Sequence, residues 1–173
     1  MQTVHDLASL NSLTAAEAAT ELRQCCGSKR WADQMSSDRP YETVEALLEH
    51  ADHIWWSLNS DDWLEAFRSH PKIGEKRASD NVSAQSRHWS GQEQAGMSSA
   101  SQETADSLTE LNRAYEQKFG FIFIICATGK SSAEMLAALQ ERLQHDSDTE
   151  LRLAAAEQAK ITALRLKKLL NSA

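Results

Sequence analysis

Three groups of residues in this sequence have types and spacing suited to chemistry. The first is His70-Pro71, at the junction between a short helical pattern and a long polar stretch. Proline disfavours the helical conformation at the residue before it, so His70 stands where the chain leaves the helix. An imidazole at such a point, with an ordinary pKa near neutrality, suits proton transfer, although any one histidine serves equally well as a cap or surface group. His5, His50, His53, His88 and His145 show how common that second use is. The second group is Ser90, Glu93 and Gln94 in SGQEQAG, which offers a hydroxyl, a carboxylate and an amide to a polar ligand. Ser90 followed by Glu93 also reads as a capping box, and the spacing does not separate the two readings. The third is Arg165. At 100° per residue it falls on the same side of the last helical segment as Leu151, Ala155, Gln158, Thr162, Leu166 and Leu169, with Lys160 and Lys167 opposite. A guanidinium facing a core needs a partner. A structural ion pair, a snorkelling side chain and an anion-binding group are all open on spacing.

Two further patterns carry less. TGKSS at 128–132 follows a strand-like run, but a phosphate loop needs Gly five residues before Gly129, and Ile124 stands there. His50 and His53 are three apart on a helix without a clear third metal ligand, and the adjacent Trp55 and Trp56 point to core packing instead.

The elements that must position these residues are helical. Only two Pro and six Gly in 173 residues leave too few breakers for a β-rich fold of this size. A capping box at Thr14 and Glu17 with Gly27 as a stop brackets a helix over about 15–26. Val44, Leu47, Leu48, Ala51, Ile54 and Trp55 line one face of a helix from Tyr41 to Leu58. Ser60 or Asp61 caps a short helix that stops at Pro71. Residues 71–97 read as a long irregular loop, a length that in a small domain marks function or disorder. Thr104, Leu108, Leu111, Tyr115 and Phe119 define a long helix from about Ser99 to a glycine stop at Gly120. Residues 121–128 have strand propensity and no partner strand, which predicts a buried extended segment. Helices from Ser131 through Leu143 and over about 149–170 complete an all-α, single-domain bundle spanning residues 1–173.

Composition narrows the function classes. A net charge of −7 without a basic stripe disfavours nucleic acid. No stretch approaches the roughly 18 to 20 apolar residues of a membrane span. Three cysteines without CxxC spacing argue for a reducing compartment rather than a disulfide framework or zinc site. MQTVHDLASL lacks the marks of a secretory leader and LLNSA those of a peroxisomal address, so the expected location is cytoplasmic.

SHPKIGEK, SGQEQAG, LNRAYEQKFGFIFIICATGKS and ELRLAAAEQAKITALRLKKLL, in that order, give the chain a resemblance to a known family. It resembles the 2-oxo-4-hydroxy-4-carboxy-5-ureidoimidazoline (OHCU) decarboxylases, which complete urate oxidation by making (S)-allantoin. The resemblance implies an all-helical homodimer acting on a small ureide without metal or organic cofactor. It assigns catalysis to His70, Glu93 and Arg165, and substrate binding to Pro71, Ser90, Gln94 and the backbone of Phe123, Ile124 and Ile125. His145 replaces an expected Asn ahead of Asp146, at a helix junction rather than in the chemistry. The missing peroxisomal tail suggests a bacterial-type protein. A non-catalytic module of the same fold, or a lyase or hydrolase for a related ureide, stays open at this stage.

Overall fold

The helix boundaries follow side-chain capping. In the computed structural model, which describes residues 4–75 and 82–171, nine α-helices and one 3-10 turn are found among the described residues. Thr14 and Glu17 close the expected capping box on α2 (Ala15–Cys25). Asp6 with Ser9 does the same for α1 (Leu7–Ser12), an element too short for its periodicity to show. Ser28 and Thr43 cap α3 (Lys29–Ser37) and α4 (Val44–Ser57). α5 (Ser60–Phe67) leads to His70. Gly27 follows α2 without the left-handed conformation of a glycine stop, which is taken instead by Gly74, Gly120 and Gly129.

The chain divides into two compact units. One comprises the residues up to Ala66 and those from Ala159 onward, the other Phe67–Gln158. In the first, α1 to α4 and the later part of α9 (Ser147–Leu169) surround Leu10, Leu22, Trp31, Met35, Leu47, Trp55 and Leu166. Its buried aromatic groups carry their polar atoms to carbonyls: Trp31 Nε1 donates to Ala51 at 3.1 Å and the Tyr41 hydroxyl to Met35 at 2.9 Å. Arg39 Nη1 donates to the Leu10 and Leu13 carbonyls at the C-terminal end of α1. Trp55 is buried as expected, but Trp56 is 43% exposed, its indole on Asp52 and its ring edge-to-face with Trp63. His50, half of the weak metal pair, meets Asp38 at 2.6 Å.

In the second unit, α7 (Gln102–Phe119) and α8 (Ser132–Arg142) pack around Leu108, Tyr115, Phe123, Ile125, Met135 and Leu139. Gly120 ends α7 at φ 80°, where a Cβ would be strained. Residues 122–127 then run without secondary structure, with Phe123, Ile124, Ile125 and Ala127 buried. This is the predicted extended segment, and among the described residues no strand pairs with it. Side chains take the place of a partner strand. Glu157 accepts the Cys126 N–H at 3.0 Å, and Arg142 donates to the Ile124 carbonyl.

The stretch from 71 to 97 departs from expectation. Its central residues, 76–81, lie outside the described residues, but α6 (Ala84–Glu93) and a 3-10 turn (Ala95–Ser99) occupy most of the remainder. Ser83, not Ser90, is the cap of α6. Ser90 and Glu93 therefore sit inside a helix and do not begin one.

Candidate functional site

Two segments reading as site-forming are fastened to each other within the second unit. Gln94, the last residue of the α6 cap, accepts the Gly74 N–H on its Oε1 at 3.0 Å. Asn112 of α7 donates to the Ile73 carbonyl at 3.1 Å, and Lys72 pairs with Glu116 at 2.7 Å. The loop that begins at Pro71 is thus held on one side by α6 and on the other by α7. Gly74 makes this turn at φ 78°, a conformation natural to glycine.

A close approach joins the end of SGQEQAG to the end of the extended segment. A Cβ built on Gly96 would lie 2.0 Å from the Lys130 carbonyl oxygen and 3.1 Å from its carbon. Both obstructing atoms are backbone, so the chain itself would have to move. Gly91, in the same motif but inside α6, has nothing within 4 Å of its Cβ position. The two glycines should therefore respond to alanine with opposite signs. Gly96→Ala is expected to lose about 1–3 kcal/mol by overpacking. Gly91→Ala should gain about 0.5–1 kcal/mol from helix propensity and a less flexible unfolded chain. Urea unfolding of both variants measures this, and equal shifts would contradict the close approach at Gly96.

His70 is buried. Its backbone N–H donates to the Phe67 carbonyl, and its ring Nε2 lies 2.6 Å from Gln158 Oε1. Ser90 and Glu93 are likewise buried, on the face of α6 that also carries Ser86 and Trp89. Phe123, Ile124 and Ile125 are buried in the extended segment, and Pro71 is half-buried. All eight of these candidates, Gln94 included, belong to the Phe67–Gln158 unit.

Arg165 belongs to the other unit, where it is 1% exposed, as its place on the helix face requires. Its Nη1 reaches the Gln24 carbonyl at 3.5 Å. It also bears on Cys26, whose thiol burial pushes up to about 12. Hydrogen bonds from Ser28 and Thr162 and the charge of Arg165 oppose that shift without cancelling it. The thiol therefore stays protonated and is unsuited to act as a nucleophile.

Several residues that hold the site were not singled out by sequence. Gln158 lies on the core face of the last helix, and its signal in the sequence is a polar amide among alanines and leucines. Asn112 sits one position from Leu111 on the buried side of α7. Arg142, Glu150 and Tyr115 form a buried group behind the extended segment. Arg142 Nη2 meets Glu150 at 2.9 Å, and the Tyr115 hydroxyl donates to the same carboxylate. His145 joins it through Nδ1 at 2.9 Å, while Asp146 caps the start of α9 through the Thr149 N–H. The helix-junction place expected for His145 is where it is found.

Among the described residues the fold is all-helical, with a buried extended segment that no strand pairs and polar side chains buried at His70, Ser90 and Glu93. The sequence matches the family model for OHCU decarboxylase over residues 11–167, and the chain belongs to that family. The match runs across both compact units. A uric acid degradation bifunctional protein, TTL, from Arabidopsis thaliana is 43% identical over 87% of this chain and 47% of its own. The chain thus spans about half the length of that relative. A Mus musculus protein named 2-oxo-4-hydroxy-4-carboxy-5-ureidoimidazoline decarboxylase is 32% identical, covering 79% of this chain and 76% of its own. A crystal structure of OHCU decarboxylase in the presence of (S)-allantoin is 41% identical, with a TM-score of 0.76 over 87% of this chain and 97% of that one. The similarity includes plant and animal proteins and does not single out a bacterial type.

Proposed function

We propose that this chain catalyses the cofactor-free decarboxylation of 2-oxo-4-hydroxy-4-carboxy-5-ureidoimidazoline to (S)-allantoin, with residues 1–173 acting as one functional domain. The observation that carries the reading is the likeness to the decarboxylase structure with (S)-allantoin, at 41% identity over nearly the whole of both chains. The geometry adds a buried imidazole on a pinned loop, which suits proton transfer away from bulk water.

The substrate chemistry needs no added electron sink. One ring carbon carries both a hydroxyl and a carboxylate and adjoins a C=N bond. When the bond to the carboxylate breaks, CO2 leaves, its electron pair forms a C=C bond to the ureido-bearing carbon, and the former C=N nitrogen takes up the displaced pair together with a proton. Loss of the hydroxyl proton turns the ring carbon into a carbonyl, and a proton added to the ureido-bearing carbon completes allantoin. His70 is assigned the hydroxyl proton, Glu93 the tuning or orientation of that imidazole, and Arg165 a substrate anion. Pro71, Ser90 and Gln94 and the backbone of Phe123 to Ile125 are assigned contacts to the ureide. The Oε1 of Gln94 already accepts the Gly74 N–H, so its part includes holding the loop as well as any ligand contact.

A cytoplasmic homodimer belongs to the same proposal. Among the described residues no helix is long and apolar enough to cross a membrane. The exposed Trp56 offers apolar surface of the kind interfaces use. Light scattering should then give twice the 19.3 kDa chain mass.

The activity is tested by circular dichroism while uricase and hydroxyisourate hydrolase oxidise urate, with and without this protein. The unstable product decays unaided to racemic allantoin. Rapid appearance of one optically active product is the expected outcome. Slow, racemic decay in the presence of folded protein would reject the decarboxylase assignment and favour a binding module or a related ureide.

A further inference from the structure

We infer that Gln158 is a positioning residue for His70, fixing the imidazole proton on Nε2 and leaving Nδ1 as the nitrogen that handles the substrate proton. The inference rests on the decarboxylase reading for its kinetic consequence, but its structural content stands apart from it.

The geometry is direct. His70 Nε2 and Gln158 Oε1 are 2.6 Å apart, both residues belong to the Phe67–Gln158 unit, and both are buried, Gln158 completely. An amide oxygen can only accept a hydrogen bond, so the imidazole nitrogen facing it must carry the hydrogen. A neutral imidazole has one N–H. With that proton on Nε2, the lone pair lies on Nδ1.

The cost of Gln158 supports a role of this kind. Its neighbours one turn back on α9, Ala154 and Ala155, are fully buried and apolar, so a buried amide at Gln158 stands out on this face. A buried amide is tolerated when its polar atoms are engaged, as the Gln158 oxygen is by His70. The chain holds the other side of His70 as well. The His70 N–H donates to Phe67, and Pro71 limits the backbone that follows. Ring and backbone are therefore fixed from separate elements. The next residue back, Glu157, accepts the Cys126 N–H, so one turn of α9 sets both the histidine and the extended segment.

The test is nitrogen-15 NMR of the imidazole in the substrate-free protein, with the His70 signals assigned by their absence in a His70→Ala protein. At a pH about two units above the ordinary histidine pKa of about 6.5, the wild-type protein should show a downfield, slowly exchanging proton on Nε2. Gln158→Leu should lose that protected proton to exchange. Gln158→Glu, which keeps an acceptor oxygen at the same reach, should retain it. In turnover, Gln158→Leu should lower kcat by up to about 10²-fold while KM stays within a factor of about two, as misplacement of a catalytic group does. A wild-type proton on Nδ1, or an Nε2 proton equally protected in Gln158→Leu, would overturn the inference. Should Gln158→Leu not fold, the wild-type and Gln158→Glu spectra decide it alone. The NMR signals are read without substrate, so they survive a failure of the proposed activity. The expected NMR pattern in all three proteins, with kcat unchanged in Gln158→Leu, would remove the catalytic part of the claim.

Discussion

A His70→Ala protein is expected to fold, to keep its helical signature, and to lose about 10²–10⁴-fold in kcat, the range that a positioned acid or base supplies. The effect should fall on kcat and kcat/KM alike, because the hydroxyl proton moves only as the ring carbon becomes a carbonyl. Stability should fall as well, since the substitution takes the imidazole from the Gln158 amide; about 1–3 kcal/mol is the cost of an unmatched buried polar group. These two losses are separable. Turnover is compared at a temperature where circular dichroism shows both proteins fully folded, and stability is read from urea unfolding. Near wild-type turnover in the folded variant would remove His70 from the chemistry, while a larger KM with unchanged kcat would make it a binding group.

The contrast between what sequence revealed and what it hid has a physical cause at α6. The helices that were legible, α2, α4, α7 and α8, show capping side chains or an apolar stripe, and α7 ends on a left-handed glycine. α6 has neither an apolar stripe nor a glycine stop. Its buried residues, Ser86, Trp89, Ser90 and Glu93, fall at the i, i+3, i+4 and i+7 positions of an inward face, yet three of the four are polar. A hydrophobic pattern cannot register a helix whose inward side is hydrophilic, so this one read as loop. The inward polar face is also what a ligand-binding helix needs, and departures from local pattern concentrate at functional positions. The extended segment was legible for the opposite reason. Phe121 to Ala127 is apolar without helical period, and its lack of a partner strand is answered by Glu157 and Arg142, two side chains whose approach no local pattern encodes.

That second reliance makes Glu150 a sensitive structural position in the Phe67–Gln158 unit. Its carboxylate is fully buried and receives Arg142 Nε at 3.0 Å and Nη2 at 2.9 Å, the Tyr115 hydroxyl, and His145. Burial alone would raise its pKa, but hydrogen bonds from Arg142, Tyr115 and His145, with the charge of Arg142, outweigh that and hold it below the ordinary glutamate value. Glu150→Ala would leave the Arg142 guanidinium buried without its carboxylate, for which about 3–5 kcal/mol is expected. Against a typical total of about 5–15 kcal/mol, that is a large share. Tyr115→Phe removes one of the donors and should cost about 1 kcal/mol. The pH dependence has a definite sign. A carboxylate with a folded-state pKa below its unfolded value of about 4.3 contributes stability above that pH and loses it as pH falls through the folded value. The wild-type protein should therefore weaken in the acid range below about pH 4.3 more steeply than Glu150→Ala, so the gap between them narrows there. Urea unfolding across that range measures the gap, and a constant difference would mean the buried carboxylate is not linked to protons as its partners require. Because Arg142 also holds the Ile124 carbonyl, the same lesion should loosen the extended segment. Hydrogen exchange at Phe123 to Ala127 should then accelerate in Glu150→Ala ahead of global unfolding, which ties the buried ion pair to the wall of the proposed substrate site.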